Sequence, residues 1–213
     1  MIGIPDIGLG NLGSVLNACR FLGLPARLLA GPGEAEACRA LILPGVGAFG
    51  DGMARLRERG YVEVLQSWAA KDRPFLGICL GMQLLFESSE ESPGVEGLGI
   101  LPGSVRLLPV GGVERKVPQM GWNQVHWLPS GAPLSGEIPE GSFFYFVHSY
   151  YVAPTDPGLC AGRTTYGIDY ASAVRKGNLV ATQFHPEKSQ DAGLRLLRNF
   201  GQWIGSKSSP VSR

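Results

Sequence analysis

The sequence predicts an α/β fold: a single domain with a central, mainly parallel to mixed sheet flanked by helices, and with an additional antiparallel strand region. Three observations predict it. Residues 1–86 alternate short aliphatic runs with stretches of helical period in the order β-α-β-β-α-β-α, the signature of parallel strands covered on both faces. From residue 87 the texture changes to strand-like runs joined by Gly and Pro, which is how antiparallel strands read. The chain has 213 residues, 44% of them hydrophobic, enough for one domain with a real core.

The elements follow in order. Met1–Ile4 is a short first strand. Gly8-x-Gly10 lies in the turn that follows, but the acidic residue of a dinucleotide loop is not found downstream, so it reads as a tight βα turn lining a site. Val15–Leu22 has helical apolar period. Ala26–Ala30 and Ala40–Leu43 are the next strands, the second leading into the glycine-dense loop Pro44–Gly52. Met53–Arg59 and Tyr61–Ala70 read as helices, the latter with Tyr61, Val62, Leu65 and Trp68 on a stripe that belongs to a core. Phe75–Ile78 is a strand, and Met82, Leu84, Leu85 and Phe86 have helical spacing directly after it.

Glu87–Gly94 is then a polar loop expected to be solvated. Strand-like runs follow at Val105–Pro109, Glu114–Val117, Trp122–Leu128, Ser142–Tyr151, Leu159–Tyr166, Ala171–Arg175 and Leu179–Phe184. They are expected to be antiparallel, with Lys176-Gly177-Asn178 as a hairpin turn. Gln190–Trp203 is a final amphipathic helix. The domain is therefore expected to span 1–204, with 205–213 a polar tail.

Composition excludes several classes of function. No apolar run approaches the ~20 residues of a membrane span and no signal peptide is expected, so no membrane is implied. A formal net charge of +1 offers no field for nucleic acid or an anionic surface. The four cysteines form no C-x-x-C and no metal-like spacing with the three histidines, so neither a metal nor a disulfide is expected. That usage fits a reducing cytoplasm, and no cofactor is implied.

The chemistry converges on Gly77-Ile78-Cys79-Leu80-Gly81. A strand that turns at once into a helix needs small residues two before and two after the bend, and that geometry exposes the central side chain at the end of the sheet. The partial positive charge of the following helix N-terminus favours a thiolate. A structural Cys buried beside a βα turn is the alternative. A base decides between them. In Gln183-Phe184-His185-Pro186-Glu187, His185 ends a β-rich run and Glu187 can project to the same side, where a carboxylate orients an imidazole. Cys79, His185 and Glu187 are thus the candidate triad. One oxyanion donor would be the N–H of Leu80, the other that of Val46 or Gly47 in the neighbouring βα loop.

These residues resemble the class I (triad) glutamine amidotransferases over nearly the whole chain. Within that family the likeness is to the glutaminase subunits of imidazole glycerol phosphate synthase. The elbow, Leu43-Pro44-Gly45-Val46-Gly47-Ala48-Phe49, Lys116-Val117-Pro118-Gln119-Met120-Gly121-Trp122-Asn123, Phe146-Val147-His148-Ser149-Tyr150 and Gln183–Ser189 carry the resemblance. Pro5-Asp6-Ile7-Gly8 and Gln119 depart from the pattern, Gln119 standing where a His is frequent. The resemblance implies a flavodoxin-like architecture, hydrolysis of L-glutamine through a thioester on Cys79, and ammonia passed to a (β/α)8 cyclase partner. It assigns glutamine binding to Gly47, Gln83, Glu91, Ser149 and Tyr150, and the partner interface to Asn11, Trp122, Asn123, Tyr145 and Lys188. It gives His148 only the task of shaping a loop. Met82 stands where glutaminases of anthranilate or aminodeoxychorismate synthesis carry His, which argues against those, and an intact triad argues against a catalytically silent binding module of the same fold.

Overall fold

The computed structural model describes residues 1–109 and 116–206. Its centre is an eight-stranded sheet built from β1 (Ile2–Pro5), β2 (Ala26–Leu29), β3 (Ala40–Gly45) and β4 (Phe75–Cys79), joined by four strands of the second half. The intervening strands are β5 (Ser88–Ser89), β6 (Gly103–Leu107), β7 (Gln119–Gln124), β9 (Phe143–His148) and β10 (Tyr150–Pro154). The remaining sheet strands are β8 (His126–Trp127), β11 (Cys160–Thr165), β12 (Asp169–Lys176) and β13 (Leu179–Thr182). The order across the sheet is β2-β1-β3-β4-β13-β12-β11-β8. The first five are parallel and the last three antiparallel, so the sheet is mixed as expected.

Strand alternation builds two cores. On β3 and β4, Leu41, Leu43 and Phe75 face one side of the sheet, while Ala40, Ile42, Leu76 and Ile78 face the other. The first side is covered by α2 (Phe49–Glu58) and α3 (Val62–Ala70), which contribute Met53, Leu56, Leu65 and Trp68. The second is covered by α1 (Leu12–Phe21) and the terminal helix Gln190–Ser206, through Val15, Cys19, Leu196, Leu197 and Phe200. Of the expected stripe, Tyr61, Leu65 and Trp68 are buried and Val62 is half-buried against the same core, each fully buried side chain contributing about 1.5–3 kcal/mol.

The register fixes where the loops meet. Gly45 pairs with Cys79, and Thr182 with Ile78, so β3, β4 and β13 end level and their following loops rise side by side. In a parallel sheet that is where a ligand crevice forms.

Several expectations need correction. The helix read as Met53–Arg59 begins at Phe49, four residues inside the glycine-dense loop. Its first turn is capped from far along the chain: Glu91 Oε2 accepts from the Phe49 N–H at 2.7 Å and Ser92 Oγ from the Gly50 N–H at 3.0 Å. For the same reason Glu87–Gly94 is not a merely solvated loop. It contains β5, Glu87 Oε2 accepts from the Gly103 N–H, and Glu90 Oε2 accepts from the Leu107 N–H. The run Ser142–Tyr151 divides at Ser149 into β9, which pairs with β7, and β10, which pairs with β6. Trp122–Leu128 likewise divides into β7 and β8 at the buried Val125. The run from Leu179 is antiparallel to β12 through the expected hairpin but parallel to β4 on its other edge. The terminal helix continues to Ser206, past Trp203 where it was expected to end. Residues 114 and 115 of the run Glu114–Val117 and residues 207–213 of the tail lie outside the described residues, while Lys116 and Val117, expected to end a strand, are in none. Among the described residues no helix is long and apolar enough to cross a membrane.

Candidate active site

Cys79 is the last residue of β4 and holds φ +54°, ψ −109°, a region closed to most side chains. The two flanking glycines make the bend possible. A Cβ on Gly81 would stand 1.8 Å from the Leu43 carbonyl oxygen, and one on Gly77 3.0 Å from that of Gly81. The strain is of the kind, about 1–3 kcal/mol, that persists only where the surroundings over-determine it. The helix after the bend, α4 (Leu80–Gln83), is a single turn, followed by tighter bonds from Leu85 to Met82 and from Phe86 to Gln83. A longer helix was expected over Met82–Phe86, and with one turn its dipole is too small to hold a thiolate unaided.

The chain after β13 brings His185 against Cys79. The His185 N–H is tied to the Tyr145 carbonyl at 2.9 Å, and its Nδ1 lies 2.8 Å from Glu187 Oε1. Both side chains are only 2% exposed. Burial opposes charge on the imidazole, but contact with the Cys79 sulfur and with the Glu187 carboxylate prevails and raises its pKa to about 10. Because the carboxylate can only accept, Nδ1 carries a proton and Nε2 is the working nitrogen. Nε2 has no hydrogen-bond partner among the described residues, nor has Glu187 Oε2.

A cleft of about 440 Å³ opens over Cys79. Every residue expected to bind glutamine lines it: Gly47, Gln83, Glu91, Ser149 and Tyr150. So do Val46 and Leu80, the other two expected oxyanion donors, with Gly47 at φ +104°. Glu91 reaches the cleft while its carboxylate caps α2, and Gln83 does so while its Nε2 donates to the Tyr150 carbonyl at 3.0 Å. A larger cavity of about 590 Å³ at the opposite end of the sheet, formed by Ala69, Leu98, Ile100 and Leu179 with Asp72 and Lys176, is lined by no cysteine, serine or histidine.

Comparison with known proteins matches the chain to the family Glutamine amidotransferase class-I over residues 26–202. The chain belongs to this family. It is 49% identical over 212 residues to the imidazole glycerol phosphate synthase subunit HisH of Desulfitobacterium hafniense, covering 100% of this chain and 99% of that protein. It is 50% identical over 203 residues to the HisH of Moorella thermoacetica, 95% of each chain, and 50% identical over 204 residues to that of Methanothermobacter thermautotrophicus, 96% of this chain and 99% of the other. Among solved structures, a glutamine amidotransferase at 22% identity superimposes with TM-score 0.74, covering 96% of this chain and 98% of that one. PurLQS from Thermotoga maritima, at 16% identity, gives 0.75 and covers 95% and 98%. At those identities the structures bear on the fold alone.

In this class I amidotransferase the residues expected at a partner interface are brought together only in part. Trp122, 46% exposed, meets Tyr145 edge-on with ring centroids 6.0 Å apart, and Lys188 Nζ lies 5.9 Å over the Tyr145 ring. Lys188 also lines the cleft, so this group adjoins the site. Asn123 is turned to an internal task, its Nδ2 donating to the Thr165 carbonyl, and Asn11 N-caps α1 through the Ser14 N–H.

Two features of the site went unread in the sequence. Gln183, fully buried, donates from Nε2 to Cys79 Sγ at 3.7 Å and accepts at Oε1 from Gln83 at 3.2 Å. Its position two before His185 was the available signal, since alternate residues share a side. The second is a buried polar chain. His148 Nδ1 lies 2.8 Å from the Tyr150 carbonyl and Nε2 3.2 Å from the Tyr170 hydroxyl, which is 2.9 Å from Gln119 Oε1. Burial lowers the His148 pKa to about 4, its bond to the Tyr150 carbonyl opposing and the charge of His185 assisting. A neutral ring of this kind shapes its loop and is no second base.

Proposed function

We propose that this chain is the glutaminase subunit of an imidazole glycerol phosphate synthase, hydrolysing L-glutamine to glutamate and ammonia in the cytoplasm. The observation that carries the proposal is the juxtaposition of a strained, nucleophile-bearing elbow that opens on a cleft and a buried His185–Glu187 pair that backs the sulfur from outside the cleft lining. Cys79 Sγ attacks the side-chain amide carbon, and the oxyanion is received by the N–H of Leu80 and that of Val46 or Gly47. His185 Nε2 delivers a proton to the amide nitrogen, the C–N bond breaks, and ammonia leaves a glutamyl thioester. Water then loses a proton to His185 as it attacks the thioester carbon. The C–S bond breaks, glutamate departs, and the sulfur is regenerated. Glu187 holds the imidazole in the required tautomer and offsets its charge.

Gly47, Gln83, Glu91, Ser149 and Tyr150 are proposed to bind the amino-acid end of glutamine. The ammonia is proposed to pass to a (β/α)8 cyclase docked over Trp122, Tyr145 and Lys188, with Asn11 and Asn123 at the same interface. That partner would use it to form imidazole glycerol phosphate and aminoimidazole carboxamide ribotide. The test is an ammonia-release assay with and without the cognate cyclase and its ribotide ligand. Weak release alone and strong release in the complex is the expected result; full activity without the cyclase would sink the coupling. Cys79→Ala should leave the complex unable to use glutamine yet active on added ammonium.

A further inference from the structure

We propose that Gln183 is a further catalytic residue, whose side-chain N–H donates to Cys79 Sγ and holds the sulfur as a thiolate. This deepens the glutaminase reading and rests on it for the identity of the nucleophile. The orientation of a glutamine amide is normally an assignment, because its oxygen and nitrogen look alike. Here a main-chain group settles it. The Tyr150 carbonyl can only accept, so the Gln83 atom 3.0 Å from it is the amide nitrogen. That nitrogen can only donate, so the Gln183 atom 3.2 Å away is the amide oxygen. The remaining Gln183 atom, 3.7 Å from Cys79 Sγ, is then a donor. An N–H aimed at sulfur favours thiolate over thiol. The donor adds to the charge of His185, since α4 is a single turn and contributes little dipole.

The same carbonyl is a node. It also takes the proton on His148 Nδ1, which leaves Nε2 of the neutral ring as an acceptor. The Tyr170 hydroxyl must then give its one hydrogen to His148, so its oxygen accepts from Gln119. Exchanging oxygen and nitrogen in the Gln119 amide meets this need, and replaces the buried unpartnered Nε2 by an oxygen. Every donor from Gln119 to Tyr170 to His148 then points toward the Tyr150 carbonyl, and from that carbonyl Gln83 and Gln183 carry the ordering on to the sulfur.

The test is the pH dependence of Cys79 alkylation by iodoacetamide in the full chain, read on the Cys79 peptide by mass spectrometry. Peptide-level reading is needed because Cys19, Cys38 and Cys160 are also free thiols. His185 and Glu187, from the turn after β13, act on the sulfur in every variant. Lys188 from that turn, His148 from β9 and Glu91 from the loop after β5 also stay in place. Gln183→Met keeps the bulk and removes the donor. The expected result is a rise of about one unit in the apparent pKa of alkylation, about tenfold slower reaction at pH values well below that of the wild-type transition, and an unchanged alkaline plateau. Gln183→Glu preserves the acceptor for Gln83 and sets a carboxylate against the sulfur, so it should shift the profile further in the same direction; it decides the matter should the Met variant fail to fold. A profile superimposable on the wild type, or a lower plateau with no shift, overturns the proposal. The assay uses neither glutamine nor a cyclase. A shifted profile therefore upholds the role of Gln183 even in a protein that cannot split glutamine, and an unshifted one refutes it even in a protein that can.

Discussion

Acidification should destabilise this fold through one imidazole. His148 is 6% exposed, and its pKa in the folded protein is about 4. In the unfolded chain it titrates near ~6.5. Between those values the unfolded state binds more protons, so stability is intact above ~6.5 and falls as pH falls, by about 1.4 kcal/mol per unit. Down to pH ~5 the loss is about 2 kcal/mol, and over the whole window about 3 kcal/mol. His185 works in the other sense and in another window. Its folded pKa is raised to about 10, so its contribution is complete below ~6.5, is lost as pH rises through about 10, and adds no slope on the acid side. Urea unfolding of the wild type and His148→Gln, in half-unit steps from about pH 7.5 to about 4.5, isolates the effect, because carboxylates common to both cancel in the difference. The wild type should lose about 2 kcal/mol more than the variant between ~6.5 and ~5. Parallel curves would mean that His148 takes up a proton in the fold as readily as in the unfolded chain, and its buried neutral state, on which the donor ordering through Tyr170 depends, would fall with them.

Other substitutions probe the elbow and the base. Gly81→Ala sets a Cβ 1.8 Å from the Leu43 carbonyl oxygen, and moving β3 or α4 to clear it should cost ~3 kcal/mol or more in thermal unfolding; a melting temperature near that of the wild type would refute the reading of the bend. Because Cys79 sits at φ +54°, Cys79→Gly should unfold ~1 kcal/mol later than Cys79→Ala, the reverse of the usual order for these residues. Glu187→Gln should fold normally yet lower glutamine hydrolysis in the cyclase complex by ~10²-fold or more, since the imidazolium loses its counter-charge; near-normal turnover would remove Glu187 from the mechanism.

What was legible in the sequence is what short-range pattern dictates. The elbow, the strands around it and the stripe of Tyr61, Leu65 and Trp68 follow from steric need and hydrophobic period, and all stand where they were expected. What was not legible depends on contacts across long separations. Nothing within Pro44–Gly52 says that a helix starts at Phe49, because the groups that cap it are 42 residues away. Nothing within Ser142–Tyr151 announces a change of sheet at Ser149, because both halves have strand composition and differ only in which strand lies beside them. Gln183 escaped for a related reason. A buried glutamine in a strand reads as a packing residue until the sulfur beside it is known.

The buried polar atoms left without partners show why such a network is retained. An orphaned donor or acceptor costs about 1–3 kcal/mol, and a fold ordinarily removes it. Two of the orphans here, His185 Nε2 and Glu187 Oε2, belong to the pair that backs Cys79. Nε2 cannot be satisfied inside the protein without occupying the one nitrogen that has to exchange a proton with whatever is bonded to the sulfur. Its vacancy is therefore a requirement of the chemistry. Around it the other groups are committed: Nδ1 to Glu187 Oε1, the His185 N–H to the Tyr145 carbonyl, and both polar ends of Gln183 to Gln83 and Cys79, with Glu187 Oε2 the other uncommitted atom of the pair.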